Sequence, residues 1–153
     1  MDNNDVMRRI RYTFDFNDSK MIEIFALADH IVTRAEISDW LKKDDDPAYQ
    51  AVTDNKLAIF LNGFIIDKRG KKDGAPPIAE LRLNNNIIFR KLKIALNLQD
   101  DDILEILKNA NLRVSKHELS AFFRHPSQHQ YRLCEDQILR NFLLGMQKKY
   151  HVS

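Results

Sequence analysis

An all-α fold built from two tandem, homologous four-helix units related by pseudo-two-fold symmetry is the class this sequence predicts. Three observations predict it. Only four Gly and four Pro interrupt 153 residues, too few breakers for the many turns of a sandwich or barrel. Apolar residues recur at helical spacing. The chain also repeats itself: VTRAEISDWL at 32–41 returns as VSKHELSAFF at 114–123.

The repeat extends well beyond that phrase. Pairing residue n with residue n+82 needs no gap from 3/85 to 71/153 and gives 16 identities in 69 pairs. Unrelated chains match at about one position in sixteen to twenty, so this is an internal duplication. The shared positions include Asn3, Asn4, Arg8, Glu23, Tyr49, Asp54 and Gly63 with Asn85, Asn86, Arg90, Glu105, Tyr131, Asp136 and Gly145. The predicted organisation is a first repeat over 1–70, a linker over 71–84 and a second repeat over 85–153. Gly70, Gly74 and the Pro76–Pro77 pair in RGKKDGAPPIAELRLN (69–84) break the helix between them.

Each element has its own signal. The first helix, about 4–15 and 86–97, places Val6, Ile10 and Phe14, or Ile88, Leu92 and Leu96, on one stripe. The second, about 19–29 and 101–111, follows Asp18 or Asp100, expected to be N-caps. The third opens with a capping box, Thr33-x-x-Glu36 or Ser115-x-x-Glu118. There the hydroxyl accepts from the backbone N–H three residues on, and the Glu reaches back to the cap. Ile37, Trp40 and Leu41, or Leu119, Phe122 and Phe123, then face inward. The fourth starts at Asp54 or Asp136 and carries Leu57, Phe60 and Leu61, or Leu139, Phe142 and Leu143. Gly63 and Gly145 inside it each cost about 0.5–1 kcal/mol relative to Ala. Keeping both predicts a close crossing with another helix.

Charge and composition narrow the function. The densest apolar stretch, LAIFLNGFII (57–66), is broken by Asn62 and Gly63 and is far short of the roughly 18 residues of a membrane span. MDNND at the N-terminus is unlike a secretory signal, and a lone Cys134 forms no internal disulfide, so a cytoplasmic protein with no membrane role is expected. Net charge is only +2. Residues 3–70 hold 10 Lys/Arg against 12 Asp/Glu, or −2; residues 85–153 hold 11 against 7, or +4. A polyanion would therefore prefer the second repeat.

Several groups of residues bear on chemistry. The segment ILEILKNANLRVSKHELSAFFR (103–124) has the outline of a helix-turn-helix, with Arg113, Lys116, Arg124 and Arg132 as phosphate contacts. Asn109 falls where that motif expects Ala, and a two-helix corner is common in all-α packing. His125, His129 and Cys134 form no metal pattern, because Pro126 makes the segment a loop and a closed site needs a fourth ligand. KKDDDP (42–47) lacks the Gly and distal Glu of a calcium loop. Arg8/Arg90 and Glu23/Glu105 are expected to pair across the first two helices. Tyr49 and Tyr131 recur in otherwise divergent loops, as lids over the core or as binding contacts. No constellation of nucleophile, acid and base is visible.

The residues NNDVMRRIRYTFDFNDSKMIEIFAL, WLKKDDDPAY and FLNGFIIDKRGKK resemble the YehS-like bacterial family, a conserved domain of unknown function. The resemblance spans essentially the whole chain. It implies a bacterial cytoplasmic protein with a duplicated unit and transfers no activity, cofactor or catalytic residue. The expected function is a non-enzymatic interaction or regulatory module, without cofactor or metal, that binds a protein partner. The alternative is a nucleic-acid-binding regulator using the basic second repeat. An exposed apolar patch joining both units favours the first; a continuous basic face across Lys116 and Arg124 favours the second.

Overall fold

The computed structural model describes residues 1–75 and 77–152; Pro76 of the linker and Ser153 lie outside the described residues. Eight helices and no strand are found among them: α1 (Asn3–Thr13), α2 (Asp18–Leu27), α3 (Arg34–Leu41), α4 (Asp54–Arg69), α5 (Asn85–Ala95), α6 (Asp100–Asn109), α7 (Lys116–Phe122) and α8 (Asp136–Tyr150). Adding 82 to the first residue of each of the first four helices gives the first residue of each of the last four.

The helix boundaries follow from local chemistry. Both predicted capping boxes form. Thr33 accepts from Glu36 N–H at 3.1 Å while Glu36 accepts from Thr33 N–H at 3.0 Å; Ser115 and Glu118 do the same at 3.0 and 3.2 Å. The second helices start one residue earlier than predicted. Asn17 caps α2, its side chain accepting from Lys20 N–H at 2.8 Å. Gln99 caps α6, its N–H donating to Asp102 at 2.8 Å. Asp18 and Asp100 are first helical residues instead, where a carboxylate meets the positive end of the helix dipole.

Helices one and two also end about two residues before their predicted limits. Asp15, Asp29, Asn97 and Asn111 adopt positive φ, 54°, 59°, 53° and 63°. Each sits just past a C-cap in a Schellman motif: Phe16 N–H bonds Arg11 O and Asp15 N–H bonds Tyr12 O, and the other three repeat that pattern. Asp and Asn fill these positions because, after Gly, they tolerate the left-handed region best. In both repeats the next residue after the turn at α1 and α5, Phe16 or Leu98, then drops into the core.

The glycine expectation holds. α4 packs on α2, and α8 on α6. A Cβ on Gly63 would collide with the carbonyl of Ile24, and one on Gly145 with the carbonyl of Ile106. Ile24 and Ile106 are themselves related by 82, so one close crossing occurs twice.

The repeats do not stand apart. α1 packs more extensively on α8 than on α4 of its own repeat, and α5 more extensively on α4 than on α8. These pairs exchange under the 82-residue offset, which is the pseudo-two-fold relation. One continuous core results, with the fully buried Phe25, Phe60, Phe64, Phe89 and Phe142 spread over both repeats.

Candidate functional site

Asn3 and Asn4, with their counterparts, explain how the loop after α3 is held. Asn4 is buried at 1% exposure. Its amide nitrogen donates to Trp40 O and Gln50 O, each at 2.9 Å, and its oxygen accepts from Val52 N–H at 2.9 Å. Asn86 repeats this with Phe122 O at 3.1 Å, Arg132 O at 2.7 Å and Cys134 N–H at 2.8 Å. Asn3 donates to Val52 O and Asp54, and Asn85 to Cys134 O and Asp136. The hydrogen bond from Asn3 holds the Asp54 carboxyl below the ordinary value, and Asn85 does the same for Asp136. Sequence comparison of the repeats shows that these asparagines recur; only their placement opposite a loop that cannot pair its own backbone shows why.

The expected pairing of Arg8 with Glu23 does not form. Arg8 bonds Asp5 at 2.7 Å and Lys42 O at 2.8 Å, with Asp44 at 3.7 Å. Glu23 is exposed and pairs with Lys20 at 2.8 Å, which also holds Asp67. Arg90 turns to Phe123 O at 3.5 Å, and Glu105 is exposed. The helix-one arginine faces α3, not α2, because it acts as a clamp on the C-terminal end of the third helix. Burial tends to raise the Asp5 carboxyl, but the hydrogen bond from Arg8 and one from the backbone of Asp2 outweigh it and hold it low.

The predicted phosphate contacts are dispersed around the α6–α7 corner. Arg113 is exposed in the turn between the two helices. Lys116 opens α7 and lies 3.6 Å from Asp101. Arg124 is half-buried with its guanidinium 3.5 Å from Ser120. Arg132 lines a small cavity of about 270 Å³ with His117, His129, Gln130 and Tyr131. Tyr49, the other recurrent tyrosine, is half-buried with its hydroxyl 3.5 Å from Asp2. Burial, with Asp2 and Asp44 nearby, raises its phenol.

His125 bonds Ser127 at 2.6 Å in an exposed loop, whereas Cys134 is buried and burial pushes its thiol up to about 12. Among the described residues no group of three or more His, Cys, Asp or Glu side chains is placed to hold a metal ion. No helix among them is long and apolar enough to cross a membrane.

A different site emerges at the seam between the repeats. α1 and α8 enclose a groove of about 630 Å³, lined by Met1, Asp5, Arg8, Arg9, Tyr12, Arg140 and Gln147. Arg9 donates to Gln147 Oε1 across the seam at 2.9 Å. Tyr12 stacks on His151 with ring centroids 4.3 Å apart. Arg140 stands exposed on α8 and contributes to holding Asp136 in its charged form. Arg9 and Arg140 are 131 positions apart (140 − 9), so no local spacing in the sequence announces them. The one signal available is a break in the repeat: Arg140 corresponds to Ala58, and Gln147 to Ile65.

The family described as protein of unknown function DUF1456 matches residues 3–70 and 85–151, once for each repeat. The Escherichia coli (strain K12) uncharacterized protein YehS is 42% identical over 151 residues, covering 98% of this chain and 97% of its own length. No solved structure matches the chain.

Proposed function

The chain belongs to the DUF1456 family, and we propose that it is a non-enzymatic interaction module whose protein partner docks on the seam between the repeats. The observation that carries this reading is the α1/α8 groove, because it has walls from both repeats and depends on their relative placement. Tyr12 and Leu144, large apolar side chains left exposed, stand on the two helices that wall it. Exposed aromatics and arginines on a concave surface are the residue types from which binding hot spots are made. Asp5, the one carboxylate lining the groove among the described residues, is held charged by Arg8 and already committed to it, an arrangement that suits recognition better than proton transfer.

The test is paired. Arg9→Gln with Arg140→Gln is expected to abolish co-purification of a stoichiometric protein partner from the native host. Lys116→Ala with Arg124→Ala is expected to leave it unchanged. Binding to mixed-sequence DNA or RNA near physiological salt is expected to be weak in all forms. Sub-micromolar, steeply salt-dependent DNA binding that is lost in the Lys116/Arg124 variant would make the corner between α6 and α7 the functional surface instead.

A further inference from the structure

The pseudo-two-fold relation makes two equivalent seams, α4 against α5 and α8 against α1. The first is occupied by the chain's own linker. There Glu80 places its carboxylate 3.0 Å from Lys91 Nζ, an ion pair rather than an aligned hydrogen bond. Its main-chain carbonyl accepts from Asn55 Nδ2 at 3.0 Å, and Leu83 N–H donates to Asp54 at 2.9 Å. The linker is thus gripped at a carboxylate, a carbonyl and an N–H, with a bend at 81–82 between Glu80 and Leu83.

With the 82-residue offset, Lys91, Asn55 and Asp54 correspond to Arg9, Gln137 and Asp136. Each keeps the chemistry of its counterpart: a cation, a side-chain amide and a carboxylate. Asp136 is approached at the same position but less closely: the Met1 amine, equivalent in position to Leu83, lies 3.6 Å from it as an ion pair, where Leu83 N–H makes a 2.9 Å hydrogen bond to Asp54. Where Glu80 lies on the first seam, the second has the open groove of about 630 Å³ with Arg9 in its lining. Arg140 in place of Ala58 adds a cation that the first seam lacks.

We propose that the α1/α8 groove receives a short acidic segment of a partner protein, its Glu or Asp carboxylate on Arg9 and Arg140 as the Glu80 carboxylate of the linker is set on Lys91 at α4/α5. This rests on the seam being the docking surface, as proposed above. A guanidinium carries five N–H donors, so Arg9 can keep its bond to Gln147 and still take a carboxylate. Gln137, exposed at the start of α8 beyond the groove's lining, is the counterpart of Asn55 and offers a main-chain carbonyl of the segment the grip that Asn55 gives Glu80 O. That second, uncharged grip favours a peptide over a free anion.

The probe is a capped synthetic peptide of residues 77–82 carrying Arg82→Ala, which leaves Glu80 as its only charge. It is titrated into the full-length, isotope-labelled protein and followed by amide NMR shifts. Shifts are expected at Arg9, Tyr12, Arg140 and Gln147. The Glu80→Gln peptide, and the original peptide with Arg9→Gln protein, are each expected to bind about ten- to a hundredfold more weakly, the range for loss of a charge-assisted hydrogen bond. Arg140→Gln, an exposed change that leaves the rest of the spectrum in place, is expected to weaken binding in the same direction. Four results overturn the inference: no seam shifts at millimolar peptide, equal binding of the Glu80→Gln peptide, shifts confined to α4/α5 through displacement of the linker, or identical seam shifts from inorganic phosphate at matched ionic strength. The two readings fail separately. Absence of seam shifts rejects the acidic segment even if the Arg9/Arg140 variant loses its partner, whereas seam shifts beside undiminished partner capture reject the seam as the docking surface.

Discussion

Asn4 sets a loop in place by saturating three backbone groups that would otherwise be stranded. Asn4→Ala should cost about 3 kcal/mol, taking one to two stranded buried groups at about 1–3 kcal/mol each. Denaturant unfolding measures it, and an unfolding free energy lower by only a few tenths of a kcal/mol would mean that water replaces the amide. Asn86→Ala should behave alike, because its three partners are the same three positions of the second repeat. Gly63 gives the opposite kind of prediction. On an exposed helix Gly→Ala stabilises by about 0.5–1 kcal/mol. Here the added Cβ meets the Ile24 backbone, which cannot rotate away as a side chain could, so Gly63→Ala should destabilise by about 1–3 kcal/mol. The glycines were legible in the sequence because they contradict helix propensity twice at one spacing. Asn4 was not, because a buried amide and an exposed one look identical until the chain segment opposite them is known.

At the scale of elements, caps decide the boundaries. Thr33→Ala and Ser115→Ala should each lose about 0.5–2 kcal/mol, since each hydroxyl satisfies an N–H that the helix cannot. Equal denaturant midpoints for wild type and both variants would contradict this. Capping boxes are visible in sequence because their whole mechanism lies within four residues. The sequence places the starts of α2 and α6 one residue late, because Asn17 and Asp18, or Gln99 and Asp100, both offer side-chain acceptors or an acidic first turn, and only geometry decides between them. Asp54 and Asp136, at the starts of α4 and α8, also set the acid limit. Asn3 and Asn85 hold both carboxyls below their unfolded value of 3.8. A group depressed on folding adds stability that is complete above its unfolded pKa and is lost as pH falls through its folded value. Stability should therefore decline from about pH 4 downward, and Asp54→Asn should flatten that decline in a denaturation series run from pH 6 to pH 2.5. His30 acts in the same direction at a higher window. Burial, and then Lys56 Nζ at 2.6 Å, lower its pKa from 6.5, so its contribution is complete above about pH 6.5 and fades below it.

For the whole molecule the duplication and the seam have different origins in the sequence. The duplication is legible because sixteen identities survive at one fixed offset. The seam is not, since α1 has two homologous candidates to pack on, α4 and α8, with similar apolar faces. No local pattern decides between them, and α1 packs more extensively on α8. That preference has a direct consequence. Residues 1–70 alone would expose the faces of α1 and α4 that meet α8 and α5, including Phe14, which packs against Tyr150 at 5.5 Å, and Arg9 without Gln147. The isolated first repeat should not form a stable folded monomer. At micromolar concentration its helix content by circular dichroism should fall well below half that of the intact chain. Adding a separate fragment of residues 84–153 should restore it, because α1 then regains α8 and α5 regains α4. Self-association of the first repeat is the other route by which it can recover helix, since α1 of one copy can meet α4 of another in the same pseudo-two-fold manner; sedimentation would then report a dimer. A monomeric 1–70 fragment that melts cooperatively would show that each repeat closes its own core and that the seam is a contact between finished domains.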